Sequence, residues 1–187
     1  MENEYLKKFQ RTALNPYNYI SLNQDTREKL VVKYAWAVPN ASALKKLIEF
    51  SPIVEIGAGT GYWAALANSM GANVVPFDCA PPDREHNHWR HNKTYTKIYK
   101  GGPDTLRLFS KKFNLFLCWP PYDDGMAGEC LKNFKGSFLI YIGEGQGGCT
   151  GDDFFHNLLS KNWEEKEEIK TPQYSGMHDC MRIFARK

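Results

Sequence analysis

The chain has 187 residues, 42% of them apolar and 14% aromatic, enough for one domain with its own core and too apolar for a disordered chain. A net charge of only +3 excludes the overall basicity of a dedicated nucleic-acid binder, although it leaves room for a local basic patch. The five cysteines are odd in number and form no CxxC pair, which argues against a disulfide or zinc framework and for reduced thiols in a cytoplasmic protein.

The opening MENEYLKKFQ carries charges with no apolar stretch behind it, so it does not read as a secretion signal. No segment approaches the roughly 18 apolar residues of a membrane span. Residues 1–41 are polar and aromatic, with turn signals such as Asn15-Pro16. They read as an arm of short helices packed on a core domain that covers 42–187.

In SALKKLIEF, from Ser42, the apolar Leu44, Leu47 and Ile48 have helical spacing, and Asn40 can cap the helix. From Ser51 on, strands and helices alternate. PIVEI, Pro52 to Ile56, is a short apolar run before glycines and predicts a buried strand. Tyr62 to Met70 predicts a helix that Gly71 ends. NVVPFD, Asn73 to Asp78, predicts a second strand, and TYTKIY, Thr94 to Tyr99, a weaker third. Pro103 suits the first turn of a helix running to Phe109. Asn114 to Cys118 predicts the fourth strand, Gly125 to Phe134 a helix, and Ser137 to Ile142 the fifth strand. A helix through Leu159 follows, with Thr150 as its expected cap.

Then the alternation stops. WEEKEEIK from Trp163 and DCMRIFAR from Asp179 read as two strands joined by turn residues, with no helix between them. The expected fold class is therefore α/β: a doubly wound, mostly parallel seven-stranded sheet with a C-terminal antiparallel hairpin.

The strongest local signal is IVEIGAGTGYW, Ile53 to Trp63, between a strand and a helix. Glycines at 57, 59 and 61 permit a tight turn and close approach of a ligand to the backbone. A dinucleotide fingerprint, G-x-G-x-x-G/A, needs a small residue at the sixth position, and here that position is Tyr62. The spacing is G-x-G-x-G instead. A dehydrogenase is disfavoured on this ground, while a glycine turn that binds nothing stays open.

The stretch EIGAGTGY resembles the first motif of the S-adenosylmethionine-dependent methyltransferases with the Rossmann-like fold, a resemblance covering roughly residues 42–187. It implies S-adenosylmethionine as cofactor. It also implies a binding set of Glu55, Gly57, Ala58, Gly59, Gly61, Tyr62, Asp78 and Cys118, with Glu55 near the amino-acid part and Asp78 on the ribose hydroxyls. Carboxylates suit both places, since they accept hydrogen bonds from hydroxyl and ammonium groups.

In open α/β sheets, ligands sit outside the carboxyl ends of the strands at the switch point. The fourth strand ends there in CWPPY, which resembles the Asp/Asn/Ser-Pro-Pro-Tyr/Phe motif of methyltransferases acting on amino nitrogens. The resemblance implies catalytic-side roles for Trp119, Pro120 and Tyr122. The first position departs from the motif, because an indole donates a hydrogen bond but accepts none through nitrogen. The carbonyls of Trp119 and Pro120 keep that capacity. A strand stopped by two prolines, with Trp119 in the core, is the plainer reading. Methyl transfer asks mainly for alignment and exclusion of water. If a general base exists, Asp123, Asp124 and Glu144 are the candidates.

Weaker features remain. His86, His88 and His91 are irregularly spaced, and no metal site is expected from them. Gly143 to Asp153 is glycine-rich and reads as a connector or a mobile loop over substrate, with Cys149 in it. Tyr34 and Trp36 are placed to cover the cofactor or to pack on the domain, and adenine is expected around Gly101 to Asp104. The leading reading is a methyltransferase acting on a small molecule or a protein side chain. The alternatives are a nucleic-acid adenine N-methyltransferase, or a non-catalytic cofactor-binding module on the same fold.

Overall fold

The computed structural model describes residues 1–13, 24–82 and 93–187, with only the backbone described at 11–13 and 24–26. The His86, His88 and His91 trio and the Asn15-Pro16 turn lie outside the described residues.

Two helices, α1 (Glu4–Ala13) and α2 (Gln24–Lys33), precede α3 (Ala41–Glu49), whose cap is Asn40: its side chain accepts from the Ala43 N–H. The alternating region then runs β1 (Ile53–Ile56), α4 (Tyr62–Ser69), β2 (Val74–Asp78), β3 (Tyr99–Lys100), a 3-10 helix (Pro103–Leu108), β4 (Asn114–Cys118), α5 (Met126–Asn133), β5 (Phe138–Gly143) and α6 (Asp153–Asn162). The chain closes with β6 (Trp163–Lys170) and β7 (Cys180–Arg186). The seven strands form one sheet in the order β3-β2-β1-β4-β5-β7-β6. Pairings from β3 to β5 are parallel, and those of β7 with β5 and β6 are antiparallel.

Strand alternation sorts the core into two layers. Ile53, Phe116, Ile140 and Ile142 face α3 and α4 through Leu47, Trp63 and Leu66. Val54, Ile56, Leu115, Leu117 and Leu139 face α5 and α6 through Leu131, Phe134 and Phe155. Both faces are covered, so β1 is buried at all four positions. This explains why its sequence reads as a continuous apolar run broken only by Glu55.

The third strand is shorter than its sequence predicts, for a reason in β2. The Ile53 and Gly57 N–H groups donate to the Asn73 and Phe77 carbonyls, so the odd residues of β2 serve β1 and Pro76 faces the outer side. Pro76 has no N–H to give there, and β3 pairs only with Phe77 and Asp78. Residues 94–98 pack on the glycine loop instead. The Tyr95 N–H donates to the Thr60 carbonyl, and a Cβ on Gly61 would stand 2.9 Å from the Thr96 methyl.

Thr150 is not the cap of α6. That role falls to Asp152, whose carboxylate accepts from the Phe155 N–H at 2.8 Å. The Thr150 hydroxyl is spent in the core, accepting from the Glu144 N–H at 2.7 Å and meeting the Tyr141 hydroxyl at 2.7 Å. Among the described residues no helix is long and apolar enough to cross a membrane.

Candidate functional site

β1 and β4 are neighbours, and their chain continuations diverge: the glycine loop leaves β1 toward α4, while CWPPY leaves β4 toward α5. A cavity of about 410 Å³ opens at this switch point. Glu55, Gly57, Ala58, Gly59, Asp78 and Cys118 line one part of it. Trp119, Pro120 and Tyr122 line another, so the structure brings the two sequence motifs to one space.

Asp78 holds the glycine loop in shape. One carboxylate oxygen accepts from the Gly59 N–H at 2.8 Å and the other from the Ala80 N–H at 2.8 Å. Gly59 takes a φ of 55°, in the left-handed region that glycine adopts without steric cost. The Gly57 N–H and the Ala58 N–H both bond to the Phe77 carbonyl, which ties the loop to β2.

Glu55 is 2% exposed, and its Oε2 has no hydrogen-bond partner among the described residues. Burial, with the charge of Asp78 adding to it, pushes its carboxyl up to about 8. A buried carboxyl with an unpartnered oxygen in the wall of a cavity is a site for a cationic or hydrogen-bond-donating ligand group.

Gly61 and Tyr62 are outside this lining. Gly61 is a packing position, as its contact with Thr96 shows. Tyr62 is buried in the core: its hydroxyl accepts from the Tyr5 N–H at 3.1 Å and donates to Asn3 at 3.2 Å, so it anchors α1. Tyr34 likewise belongs to a tyrosine cluster, stacked on Tyr5 and Tyr95, whereas Trp36 reaches the cavity. Of the stretch from Gly101 to Asp104, the first three residues line the cavity and Asp104 does not.

Trp119 has a φ of 54°, the one left-handed non-glycine residue among those described. For a bulky side chain this conformation costs on the order of 1–3 kcal/mol, and the surroundings hold it. Its N–H donates to the Ile142 carbonyl at 2.8 Å, its indole N–H to Asp179 at 2.9 Å, and its ring stacks on Trp36 at 5.4 Å between centroids. The turned backbone brings the two prolines across the strand end. The Pro120 carbonyl accepts from the Gly151 N–H at 2.9 Å, so one of its lone pairs is already used. Tyr122 is 60% exposed at the rim.

The candidate bases separate clearly. Asp123 and Asp124 line the cavity. Burial, with Asp123 and Asp152 adding to it, pushes the Asp124 carboxyl above its usual range. Glu144 is elsewhere, clasping two loops through the Cys149 N–H at 2.9 Å and the His178 N–H at 2.8 Å. Burial opposes its ionisation, but these bonds bring it below the usual carboxylate range. Cys79, Cys118 and Cys149 all reach the cavity, and burial raises each thiol, Cys149 to about 11 with help from Glu144. None is poised as a thiolate.

Sequence reading missed Arg27, Met126 and Met177 in the lining. Arg27 sits on a helix outside the alternating core, and only the tertiary fold carries it to the end of β4. Among the described residues no group of three or more His, Cys, Asp or Glu is placed to hold a metal ion.

No family model matches the sequence, and no curated protein matches it. Solved structures match over the whole chain. Magnesium protoporphyrin IX methyltransferase from Synechocystis PCC 6803 with bound S-adenosylmethionine aligns at a TM-score of 0.54 and 11% identity, covering 100% of this chain and 98% of that one. The same enzyme with bound S-adenosylhomocysteine aligns at 0.53 and 11% identity, covering 99% and 96%. The chain has the Rossmann-like fold of the class I S-adenosylmethionine-dependent methyltransferases.

Proposed function

We propose that the protein is an S-adenosylmethionine-dependent methyltransferase acting on a small-molecule acceptor. The observation that carries this reading is Glu55: a buried carboxyl with an unpartnered oxygen, in the cavity wall beside a glycine loop that Asp78 clasps. The residues present fit the cofactor. Glu55 offers an acceptor to an ammonium, Asp78 lies where ribose hydroxyls are expected, and Gly57 leaves room that a Cβ, 3.2 Å from the Met126 methyl, would take.

When bound, the cofactor supplies a methyl group on a cationic sulfur, an electrophile that needs no further activation. The chain's own part is to orient and to exclude water. Gly57, Ala58 and Gly59 would give backbone contact, and Cys118, as a neutral thiol, an apolar wall. Trp119 and Pro120 form a rigid rim, and Tyr122 stands at the mouth for the acceptor. Asp123 and Asp124 are the carboxylates available to take a proton from an acceptor that must lose one.

A small acceptor is favoured by the site itself. An indole stands where the motif of methyltransferases acting on amino nitrogens has an acceptor side chain, and one lone pair of the Pro120 carbonyl is already held by the Gly151 N–H, which weakens the amine-orienting chemistry of that motif. The structural neighbour at a TM-score of 0.54 is named for a porphyrin acceptor. Calorimetry with S-adenosylmethionine, S-adenosylhomocysteine and NAD tests the reading. Binding of the first two and not the third is expected, and absence of binding by both would overturn it.

A further inference from the structure

We propose that Arg27 recognises the acceptor and that the acceptor carries a carboxylate, gripped by the Nε–Nη2 edge of the guanidinium. This deepens the methyl-transfer reading and rests on it.

Arg27 lines the cavity on the CWPPY side. Its guanidinium carbon lies 5.2 Å from the Trp119 ring centre, 5.4 Å from Trp36 and 5.4 Å from Tyr174. Three aromatic faces stabilise the charge, since each presents its negative π surface to a cation. They do not use the N–H groups. Nε and Nη2 are buried and have no hydrogen-bond partner among the described residues. Leaving two charged donors unspent away from water costs free energy, so such a group stands out against a well-satisfied interior.

The same protein shows what a structural arginine does in like surroundings. Arg186 also lies over two rings, 4.3 Å from Trp163 and 5.7 Å from Phe134. Its Nε donates to the Gly136 carbonyl at 3.1 Å and its Nη2 to the Phe134 carbonyl at 2.7 Å. The edge that Arg186 spends on the backbone is the edge that Arg27 leaves unspent. Asp179 is near enough for its charge to be felt by Arg27, yet it takes neither donor and is engaged by Trp119 instead.

Nε–H and Nη2–H are parallel and coplanar. A carboxylate presents two oxygens in one plane at matching separation, which gives the bidentate pair arginine forms best. This edge is buried from water, and a turn of the guanidinium about its terminal torsions presents it to the cavity that Arg27 lines. Standing over Trp119, the grip fixes the acceptor at the end of β4, in the cavity that Glu55 also lines. Two carboxyl-to-cation pairings then share one cavity, with Glu55 drawing the cationic donor and Arg27 the anionic acceptor.

The test uses the full chain saturated with S-adenosylhomocysteine, titrated by calorimetry with benzoate and indole-3-carboxylate against benzamide and indole-3-carboxamide. The acids should bind, with the uncharged amides about tenfold or more weaker, as expected for loss of a charged hydrogen-bonded pair. Arg27→Gln should erase that difference while S-adenosylhomocysteine affinity stays the same. Arg27→Lys should bind the acids less tightly than the native chain, because charge is kept but the fork is lost. Equal binding of acids and amides, no binding of either, or an acid preference that survives Arg27→Gln would overturn the proposal. The acid–amide comparison on the native chain stands even if a variant does not fold. Failure of S-adenosylhomocysteine to bind would strike the methyl-transfer reading separately, and the acid preference is then measured on the free protein.

Discussion

Trp119 donates its indole N–H to the buried Asp179 carboxylate at 2.9 Å, and so ties the end of β4 to the start of β7 across β5. Asp179 is 3% exposed, and burial pushes its carboxyl above the usual range, with Trp119 and Arg27 working the other way. Trp119→Phe keeps the ring and removes the donor. The chain should lose about 1–3 kcal/mol of stability, the cost of stranding a buried acceptor, measured by urea unfolding. S-adenosylhomocysteine affinity should stay within about twofold, since the indole lies on the acceptor side. A large loss of cofactor affinity with unchanged stability would contradict this placement.

Cofactor binding should depend on pH through Glu55. Its folded-state value of about 8 is above the ordinary 4.5, so the free protein holds this proton more tightly than the unfolded chain does. Its contribution to stability is therefore fully present below 4.5 and is lost as pH rises through about 8. A cationic ligand favours the ionised form, so binding below about 8 should release a proton and affinity should rise from pH 6 to 9. Calorimetry in buffers of different ionisation enthalpy measures that proton. In Glu55→Gln the pH dependence should vanish and affinity should be weak throughout. An unchanged pH profile in the variant would remove Glu55 from the cofactor site.

Tyr62 separates the sequence reading from the structure. If it touched the cofactor, Tyr62→Phe would lower cofactor affinity. The structure instead gives its hydroxyl to Tyr5 on α1 and to Asn3 just before it. Tyr62→Phe should leave the affinity alone and speed amide hydrogen exchange over residues 4–10, because α1 loses its anchor.

Why some of this was legible and some was not follows from how local each signal is. β4 and β6 begin and end where their residues predict, because an apolar run and a charge-studded edge strand each carry their own boundaries. The glycine loop and Asp78 sit at fixed offsets within one βαβ unit, so the spacing alone brings them together. The third strand failed because Pro76, on a different strand, decides how much of it can pair. Thr150 and Asp152 are both good capping residues, and only the core demand of Tyr141 and Glu144 for a hydroxyl decides between them. Arg27 was invisible for the strongest reason. Its setting depends on three rings from separate parts of the chain, and no local pattern marks that meeting.

The clasp between Asp78 and Gly59 should be worth more to binding than to folding. Gly59 holds φ at 55°, where a side chain is strained, and its N–H points at Asp78. Gly59→Arg adds strain and places bulk at the cavity wall, so S-adenosylmethionine binding should fall below detection by calorimetry while the far-ultraviolet circular dichroism stays native. Asp78→Asn is the finer probe. The amide oxygen still accepts one loop N–H, but the second bond and the negative charge beside Glu55 are both lost. Loop order should largely survive, and cofactor affinity should drop by about tenfold, the worth of one charged hydrogen bond. Removing that neighbouring charge should also lower the Glu55 value from about 8, moving the midpoint of the proton release to lower pH. A midpoint that stays put while affinity falls would mean that Asp78 acts on the ligand alone and not through its buried neighbour.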